Sequence, residues 1–408
     1  MMRKPIGREL LWVVPFLCIA LIAAGLLRHE PRFPAPEHFR TVVDGGGNVI
    51  KIALPFRGIA LATNSFPSGY LESTRSPQLL VFAGKPSDRD MLAQNAMSWI
   101  YPEVLNNNKL WNTRLFRENT SPFTEVETLL AYDPSVWIGC GGSPDLVRRV
   151  GLPAFGCGGS PAQRERMGLP SLRSKEDCGT PPDPMRSRYP KGYVNSGWYY
   201  PENYLFPGIR SSAELIGHPE FAEPRIDSYC AAIAGLRQQL QPASLAFRPR
   251  VQMEGESRGN APRAGVIDAE VERRIPGDDA ERLLVMDPDM IFMVTGTPQQ
   301  FARDLRWQGL KAVQNHRVYR RPGQLEFWAT GLTIQPVIVR WMAEVAHPER
   351  LQPAVRQLLR DRVMSEFGYR LSEEQIDLIL HVKENAGSVG AERFTRGYQA
   401  TSEQGSSK

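Results

Sequence analysis

Short runs of apolar residues alternate along the chain with stretches whose apolar positions recur every three or four residues. The runs have the length and composition of strands buried on both faces of a parallel sheet, and they lie at residues 58–62, 79–82, 136–139, 250–253, 290–294 and 317–319. Helical spacing is clearest over residues 222–240 and returns at 337–345 and 353–367. Strands that alternate with helices predict an α/β fold with a parallel sheet in each half of the chain. A glycine-rich turn between two β-branched runs adds a predicted hairpin over residues 41–52.

The beginning of the chain indicates export. Three basic residues precede an uncharged run at residues 10–27, whose length suits either a signal-peptide core or a membrane anchor. Both alternatives stay open for residues 1–28, and a proline-rich linker follows at residues 29–40. In either case the rest of the chain is predicted to lie outside the cytoplasm.

Composition narrows the class of protein. The 408 residues leave room for two or three domains, and 42% apolar with 23% charged residues excludes a disordered chain and a multi-span membrane protein. The 49 basic and 44 acidic residues give a net charge of +5, which is too balanced to predict a nucleic-acid partner. Residues 386–408 are small and polar and predict a disordered tail.

Four cysteines follow the first apolar run, and in an oxidising compartment they permit two disulfides in any of three pairings: Cys140, Cys157, Cys178 and Cys230. No C-x-x-C pair is present, so neither a metal site nor a redox site is predicted. The sequence CGGSP occurs at residues 140–144 and again at 157–161. This repeat predicts either a lengthened loop or a pair of loops that hold a ligand.

Residues 171–208 are rich in proline, glycine, arginine and aromatic residues, which is typical of a surface excursion, and a loop-rich insertion is predicted over residues 157–208. The grouped tyrosine and tryptophan rings there also suit contact with a planar ligand.

One motif suggests an alternative enzymatic function. Residues 255–259 match the G-x-S-x-G pattern, with Ser257 as the nucleophile of a serine hydrolase. That motif needs a helix directly after the serine, whereas Asn260, Pro262 and Gly265 follow. The sequence therefore favours a protein that is not an enzyme and carries no cofactor, with the hydrolase as the alternative.

Three segments carry a resemblance to a known family. Residues 125–136 read EVETLLAYDPSV, residues 284–292 read LVMDPDMIF, and residues 307–319 read WQGLKAVQNHRVY. With the opening hairpin and the helix after residue 217, they resemble the substrate-binding proteins of iron–siderophore and cobalamin ABC importers. The resemblance spans residues 41–381 except for 157–205.

The resemblance implies an α/β fold of two Rossmann-like lobes joined by one long helix, with the ligand cleft between the lobes. The N-terminal lobe then covers residues 41–217 and includes the 157–208 insertion. The joining helix covers 218–242, and the C-terminal lobe covers 243–385.

Ligands of such a fold bind at the carboxyl ends of the strands. The expected ligand-binding residues are Thr63, Asn64, Phe66, Cys140, Arg258, Arg320, Arg321, Phe327 and Trp328. The arginines suit charge-assisted hydrogen bonds to an anionic iron chelate, and the aromatic residues suit its walls, with Tyr319 as a further candidate. Glu127 matches the glutamate with which the family docks on its permease. Glu326 is the nearest substitute for the second docking glutamate.

The resulting expectation is a periplasmic protein, either released or anchored by residues 10–27. It captures a siderophore-like iron complex and passes it to an ABC permease and its ATPase. Haem, cobalamin or an oxyanion such as molybdate are alternative ligands. A tethered sensor that no longer transports is a further alternative.

Overall fold

The structure, a computed structural model, describes residues 41–43, 49–52, 56–61, 67–84, 86–111, 130–139, 151–156, 201–240, 249–253, 270–271, 279–323 and 333–398. The predicted signal or anchor segment lies outside these ranges. Within them, no helix combines the length and the apolar character that crossing a membrane requires.

All predicted strands are present. The hairpin pairs β1 (Val42–Val43) with β2 (Val49–Ile50) in antiparallel register. A parallel sheet in the order β4-β3-β5-β6 contains β3 (Ile59–Leu61), β4 (Leu80–Phe82), β5 (Val136–Gly139) and β6 (Ala154–Gly156). The residues of β3 are completely buried, which explains why this strand reads as a continuous apolar run.

A second parallel sheet, in the order β8-β7-β9-β10, contains β7 (Arg250–Met253), β8 (Glu270–Val271), β9 (Met290–Met293) and β10 (Val318–Arg320). Its strands follow the same pattern as the first sheet. In each sheet the second strand lies on one side of the first, and the third and fourth strands lie on the other side. The direction in which the chain adds strands therefore reverses once in each sheet. The reversal lies between β3 and β5 in the first sheet and between β7 and β9 in the second.

The helices fill the intervals between strands. In chain order they are α1 (Pro67–Thr74), α2 (Pro86–Ala93), α3 (Met97–Ile100), α4 (Pro102–Asn106), α5 (Pro201–Leu215), α6 (Ala222–Gln239), α7 (Asp279–Met286), α8 (Pro298–Arg303), α9 (Lys311–Gln314), α10 (Gln335–Ala346), α11 (Val355–Phe367) and α12 (Glu373–Ile379). The periodicity at 222–240, 337–345 and 353–367 is thus confirmed as α6, α10 and α11.

One hydrophobic cluster extends from the first sheet to the second. It includes Ile59 of β3, Ile226 of α6, Met290 of β9 and Trp341 of α10. Helix α6 buries its apolar stripe in this cluster, and it contacts both α5 and α10. The 18 residues of α6 therefore connect the two parallel sheets along the chain and are packed on both sides.

Two expectations about segments were wrong in part. The predicted loop-rich insertion reached residue 208, but α5 begins at Pro201, and Phe206 is completely buried against Tyr229 with their ring centroids 5.6 Å apart. The predicted disordered tail began at residue 386, but residues 386–398 are folded and bury Phe394 to 2% exposure. Among residues 201–208 and 386–398, single aromatic side chains such as Phe206 and Phe394 are buried in the core, which average composition hides.

Candidate functional site

The candidate site is defined by the two points at which the strand order of the sheets reverses. In open parallel sheets a crevice forms there, outside the carboxyl ends of the strands. Thr63, Asn64 and Phe66 follow β3 in the sequence, Cys140 follows β5 and Arg258 follows β7. Of the four strands that border these two points, β3, β5 and β7 are followed in the sequence by predicted ligand residues, and β9 is followed by a turn at residues 294–297.

Several sequence-predicted site residues lie outside the described ranges, so their roles stay predictions. They are Thr63, Asn64, Phe66, Cys140, Arg258, Phe327 and Trp328, together with Glu127, Glu326 and Ser257. The described part of the site consists of the turn after β9, the end of β10 and the segment after α12.

The turn after β9 has a defined backbone conformation. Gly296 has a φ of +72°, which favours glycine. Thr297 caps α8: its hydroxyl accepts a hydrogen bond from the Gln300 amide, and Oε1 of Gln300 accepts one from the Thr297 amide. This capping box fixes where the carbonyl of Gly296 lies.

Arg320 ends β10 and reaches this turn. Its Nη1 donates to the carbonyl oxygen of Gly296 at 2.5 Å, and its Nε lies 3.3 Å from Nε2 of His381. Asn385 holds the main chain of Arg320 on both sides, because Oδ1 accepts from the Arg320 amide at 2.7 Å and Nδ2 donates to the Arg320 carbonyl at 2.8 Å. Arg320 is therefore fixed at its backbone and at its guanidinium.

His381 is a neutral partner in this arrangement. Its side chain is buried, and burial is the main reason that its pKa falls to about 4, with the positive charge of Arg320 as the second reason. Glu384 opposes the shift from the other side of the ring, where its Oε1 lies 3.6 Å from Nδ1. At neutral pH, Nε2 of His381 can therefore accept a hydrogen bond from Arg320.

The neighbours of Arg320 have different roles. The Arg321 amide donates to the Met293 carbonyl at 3.0 Å and continues the parallel ladder between β9 and β10. Tyr319 is completely buried, stacks on Phe292 at 5.7 Å and donates its hydroxyl to the Val389 carbonyl. The expectation that Tyr319 forms a ligand wall was wrong, since alternation along β10 directs its ring into the core.

The segment after α12 closes the free edge of β10. Ser388 Oγ donates to the Val318 carbonyl at 2.6 Å, and the Val389 amide donates to the His316 carbonyl at 2.9 Å. With Asn385, these bonds satisfy polar groups that an edge strand leaves exposed. His381 and Asn385 were not predictable as partners of Arg320, because they lie 61 and 65 residues from it and match no motif.

Behind the sheets, six buried residues form a second polar cluster, the ionic junction: Glu72, Arg75, Arg225, Thr333, Arg362 and Glu366. The Glu366 carboxylate is its centre. Its Oε2 accepts from Arg75, Arg225 and the Thr333 hydroxyl, each at 3.0 Å. The junction joins the end of α1 to α6 and α11 by contacts that span 291 and 141 residues.

Glu72 is the junction's second carboxylate. Its Oε1 accepts from the Thr333 amide at 2.9 Å. Burial, partly opposed by Arg225, raises its pKa to about 7, whereas three arginines lower the pKa of Glu366 despite its burial. Below about pH 7 the Glu366 carboxylate is therefore ionised, whereas Glu72 is mostly protonated.

We expect Glu72→Gln to change the pH dependence of stability. Because the folded-state pKa of Glu72 is raised from 4.5 to about 7, its ionisation opposes folding increasingly as pH rises from about 5 to 8. At about 1.4 kcal/mol per pKa unit, the variant should gain about 3 kcal/mol on the wild type across that interval. Urea unfolding at pH 5, 6, 7 and 8 measures the difference, and a difference that stays constant would contradict the assignment.

Cys230 on α6 is disulfide-bonded. The other cysteines lie outside the described residues, so the pairing stays a prediction. The described residues contain no group of three metal-ligating side chains.

No family model matches the chain, and no curated protein matches it. A periplasmic solute-binding protein from Veillonella parvula is similar in structure, with a TM-score of 0.63 and 18% sequence identity. The match covers 86% of this chain and 99% of that one. The chain has the fold of periplasmic solute-binding proteins.

Other solved solute-binding proteins share this fold. MolA of Haemophilus influenzae, bound to molybdate, has a TM-score of 0.59 at 14% identity, over 82% of this chain and 99% of its own. CeuE of Helicobacter pylori, in a Ni–His complex, has a TM-score of 0.54 at 13% identity, over 84% and 99%. The predicted α/β fold is therefore confirmed.

Proposed function

We propose that the protein is an exported solute-binding protein that captures an anionic iron chelate and delivers it to an ABC permease with its ATPase. Its two lobes, residues 41–217 and 243–385, are joined by the helix within 218–242. The ligand lies in the cleft between them. The solute is released unchanged, since the protein acts as a carrier and not as an enzyme.

The observation that carries this proposal is the shared strand order of the two parallel sheets. Open parallel sheets form a crevice where their strand order reverses, and the sequence-predicted residues follow the carboxyl ends of the strands there: Thr63, Asn64, Phe66, Cys140 and Arg258. Arg320 adds a fixed positive charge at the end of β10. Arginine suits carboxylate, phenolate and oxyanion groups, because its planar fork of donors matches their geometry.

The proposed location is the periplasm, and the proposed partner is an ABC permease. A disulfide at Cys230 supports an oxidising compartment such as the periplasm. Residues 10–27 serve either as a cleaved signal or as an anchor in the inner membrane. Glu127 and Glu326 are the proposed contacts with permease arginines.

A panel of ligands tests the function by quenching of tryptophan fluorescence. We expect saturable quenching by a ferric siderophore with a Kd of about 1 μM or lower, which corresponds to about 8 kcal/mol of binding free energy. The panel includes haemin, cobalamin and molybdate, which are the alternative ligands. Absence of binding to every compound would contradict the proposal. Labelling of the wild type but not of Ser257→Ala by a fluorophosphonate would instead support the hydrolase.

A second candidate ligand is an oxyanion. MolA, whose structure contains molybdate, is among the similar structures, and a fixed arginine suits an oxyanion as well as a chelate. Competition between molybdate and a ferric siderophore in the same titration separates the two ligands.

A further inference from the structure

Arg320 differs in the charge of its partners from several other arginines in the C-terminal half of the chain. Arg340 lies 2.6 Å from Glu344, Arg356 lies 2.6 Å from Asp377, and Arg362 lies 3.2 Å from Glu366. Across the described residues, no carboxylate lies within 4 Å of the Arg320 guanidinium. Among those residues, its partners fix its position without neutralising its charge.

The two groups that fix the guanidinium are both neutral acceptors. One is the carbonyl of Gly296, whose position the capping box of α8 determines. The other is Nε2 of His381, and burial of this imidazole ring keeps it neutral. A carboxylate at either place would hold Arg320 equally well but would neutralise it. These two acceptors orient the arginine without neutralising its charge.

The backbone around Arg320 is fixed to the same degree. Asn385 bonds both the amide and the carbonyl of Arg320, which a single amide side chain can do because it has a donor and an acceptor. Gly323 allows the imidazole to approach, since a Cβ at that position would lie 3.1 Å from Nε2 of His381. The Gly323 amide also donates to the Ile379 carbonyl at 2.9 Å. Residues 320–323 are thus held against the segment after α12.

We propose that His381 and Asn385 are positioning residues of the ligand site, which hold Arg320 ready to receive an anionic group of the solute. This inference rests on the proposed function and adds a specificity for negative charge. An arginine that is held in place before binding loses less side-chain freedom when the ligand arrives. The segment after α12, which no motif marks, therefore belongs to the site.

Binding of two ferric complexes of opposite charge character tests this inference. The anionic probe is a ferric tris-catecholate and the neutral probe is a ferric trihydroxamate, each titrated by fluorescence quenching. We expect Arg320→Gln to weaken binding of the anionic probe by about tenfold to hundredfold, the range for a charged hydrogen bond. His381→Leu and Asn385→Ala should each weaken it by about threefold to tenfold, since the arginine remains but is no longer held. The neutral probe should be affected less than twofold, on the order expected for a contact without charge.

Two further variants act as controls. His381→Gln places an amide oxygen near the position of Nε2 and should restore most of the affinity that His381→Leu loses. Arg303→Gln removes an exposed positive charge from α8 and should leave both affinities unchanged. Rescue by glutamine separates positioning of Arg320 from a merely structural role, because a general loss of stability would not depend on an acceptor at this place.

A measurement on the wild type avoids dependence on folded variants. The pKa of His381 can be measured by NMR titration. Saturation with the anionic probe should raise this pKa, because a negative charge beside Arg320 stabilises the protonated ring. An unchanged pKa would overturn the inference. So would normal binding of the anionic probe by both His381→Leu and Asn385→Ala, even though the carrier function would stand. Binding of the neutral probe alone would also leave the function intact and overturn the inference. If neither probe nor any other compound of the ligand panel binds, the function and the inference fail together.

Discussion

Replacing Glu366 with glutamine should lower the free energy of unfolding by about 3–5 kcal/mol, the range for breaking a buried ion pair by removal of one partner. Glu366 accepts hydrogen bonds from Arg75 and Arg225 through one oxygen and from Arg362 through the other. The amide of glutamine would keep the shape of the side chain but remove the ionised carboxylate that these three guanidinium groups share. Chemical unfolding measured at pH 6 gives the change.

Aromatic rings around the ionic junction limit how far water could compensate for the missing carboxylate. The guanidinium of Arg75 lies 5.8 Å from the Phe221 ring centroid and 5.6 Å from that of Phe367, so solvent reaches the charge poorly. Glu374→Gln is the matched control: Glu374 is exposed and pairs with Arg396 at 2.8 Å. We expect that control to unfold like the wild type. If both variants lost the same small amount of stability, the junction would not be a structural centre of the molecule.

The fold was predictable because its signals are local. Parallel strands buried on both faces read as continuous apolar runs, as Met290–Met293 shows, and all four of these residues are buried. The long helix Ala222–Gln239 was predictable from its own periodicity. Short strands such as Ala154–Gly156 and Glu270–Val271 carry too few residues for a pattern, and the sequence analysis missed them.

The ionic junction and the clamp on Arg320 were not predictable from the sequence. Their bonds join residues that are far apart in the chain: 291 residues separate Arg75 from Glu366, and 65 separate Arg320 from Asn385. No spacing rule reaches such distances, because only the completed fold brings these residues together. Arg320 itself was predictable as a charge after a strand end, whereas the neutrality of its partners was not.

The folded end of the chain leads to a second large effect. Phe394 stacks on Trp341 with the ring centroids 5.3 Å apart, and both side chains are buried. Arg393 beside it donates to the Leu351 carbonyl at 2.6 Å, which fixes the segment on the turn after α10. Residues 391–394 therefore act as part of the core, although the sequence around them is polar.

We expect Phe394→Ala to lower the free energy of unfolding by about 3–5 kcal/mol, the usual range for removal of a buried aromatic ring. The matched control is Tyr398→Ala four residues later, where the ring is 40% exposed and its removal opens no cavity. Thermal and urea unfolding of the two variants measure the difference. If Phe394→Ala unfolded like Tyr398→Ala, residues 391–394 would not be part of the core.

Because Trp341 also contacts Phe292 and Tyr319 of the second sheet, loss of the Phe394 ring should loosen the sheet that carries Arg320. A weaker affinity for the anionic ligand in Phe394→Ala, recovered at low temperature, would show that the end of the chain stabilises the binding site from behind.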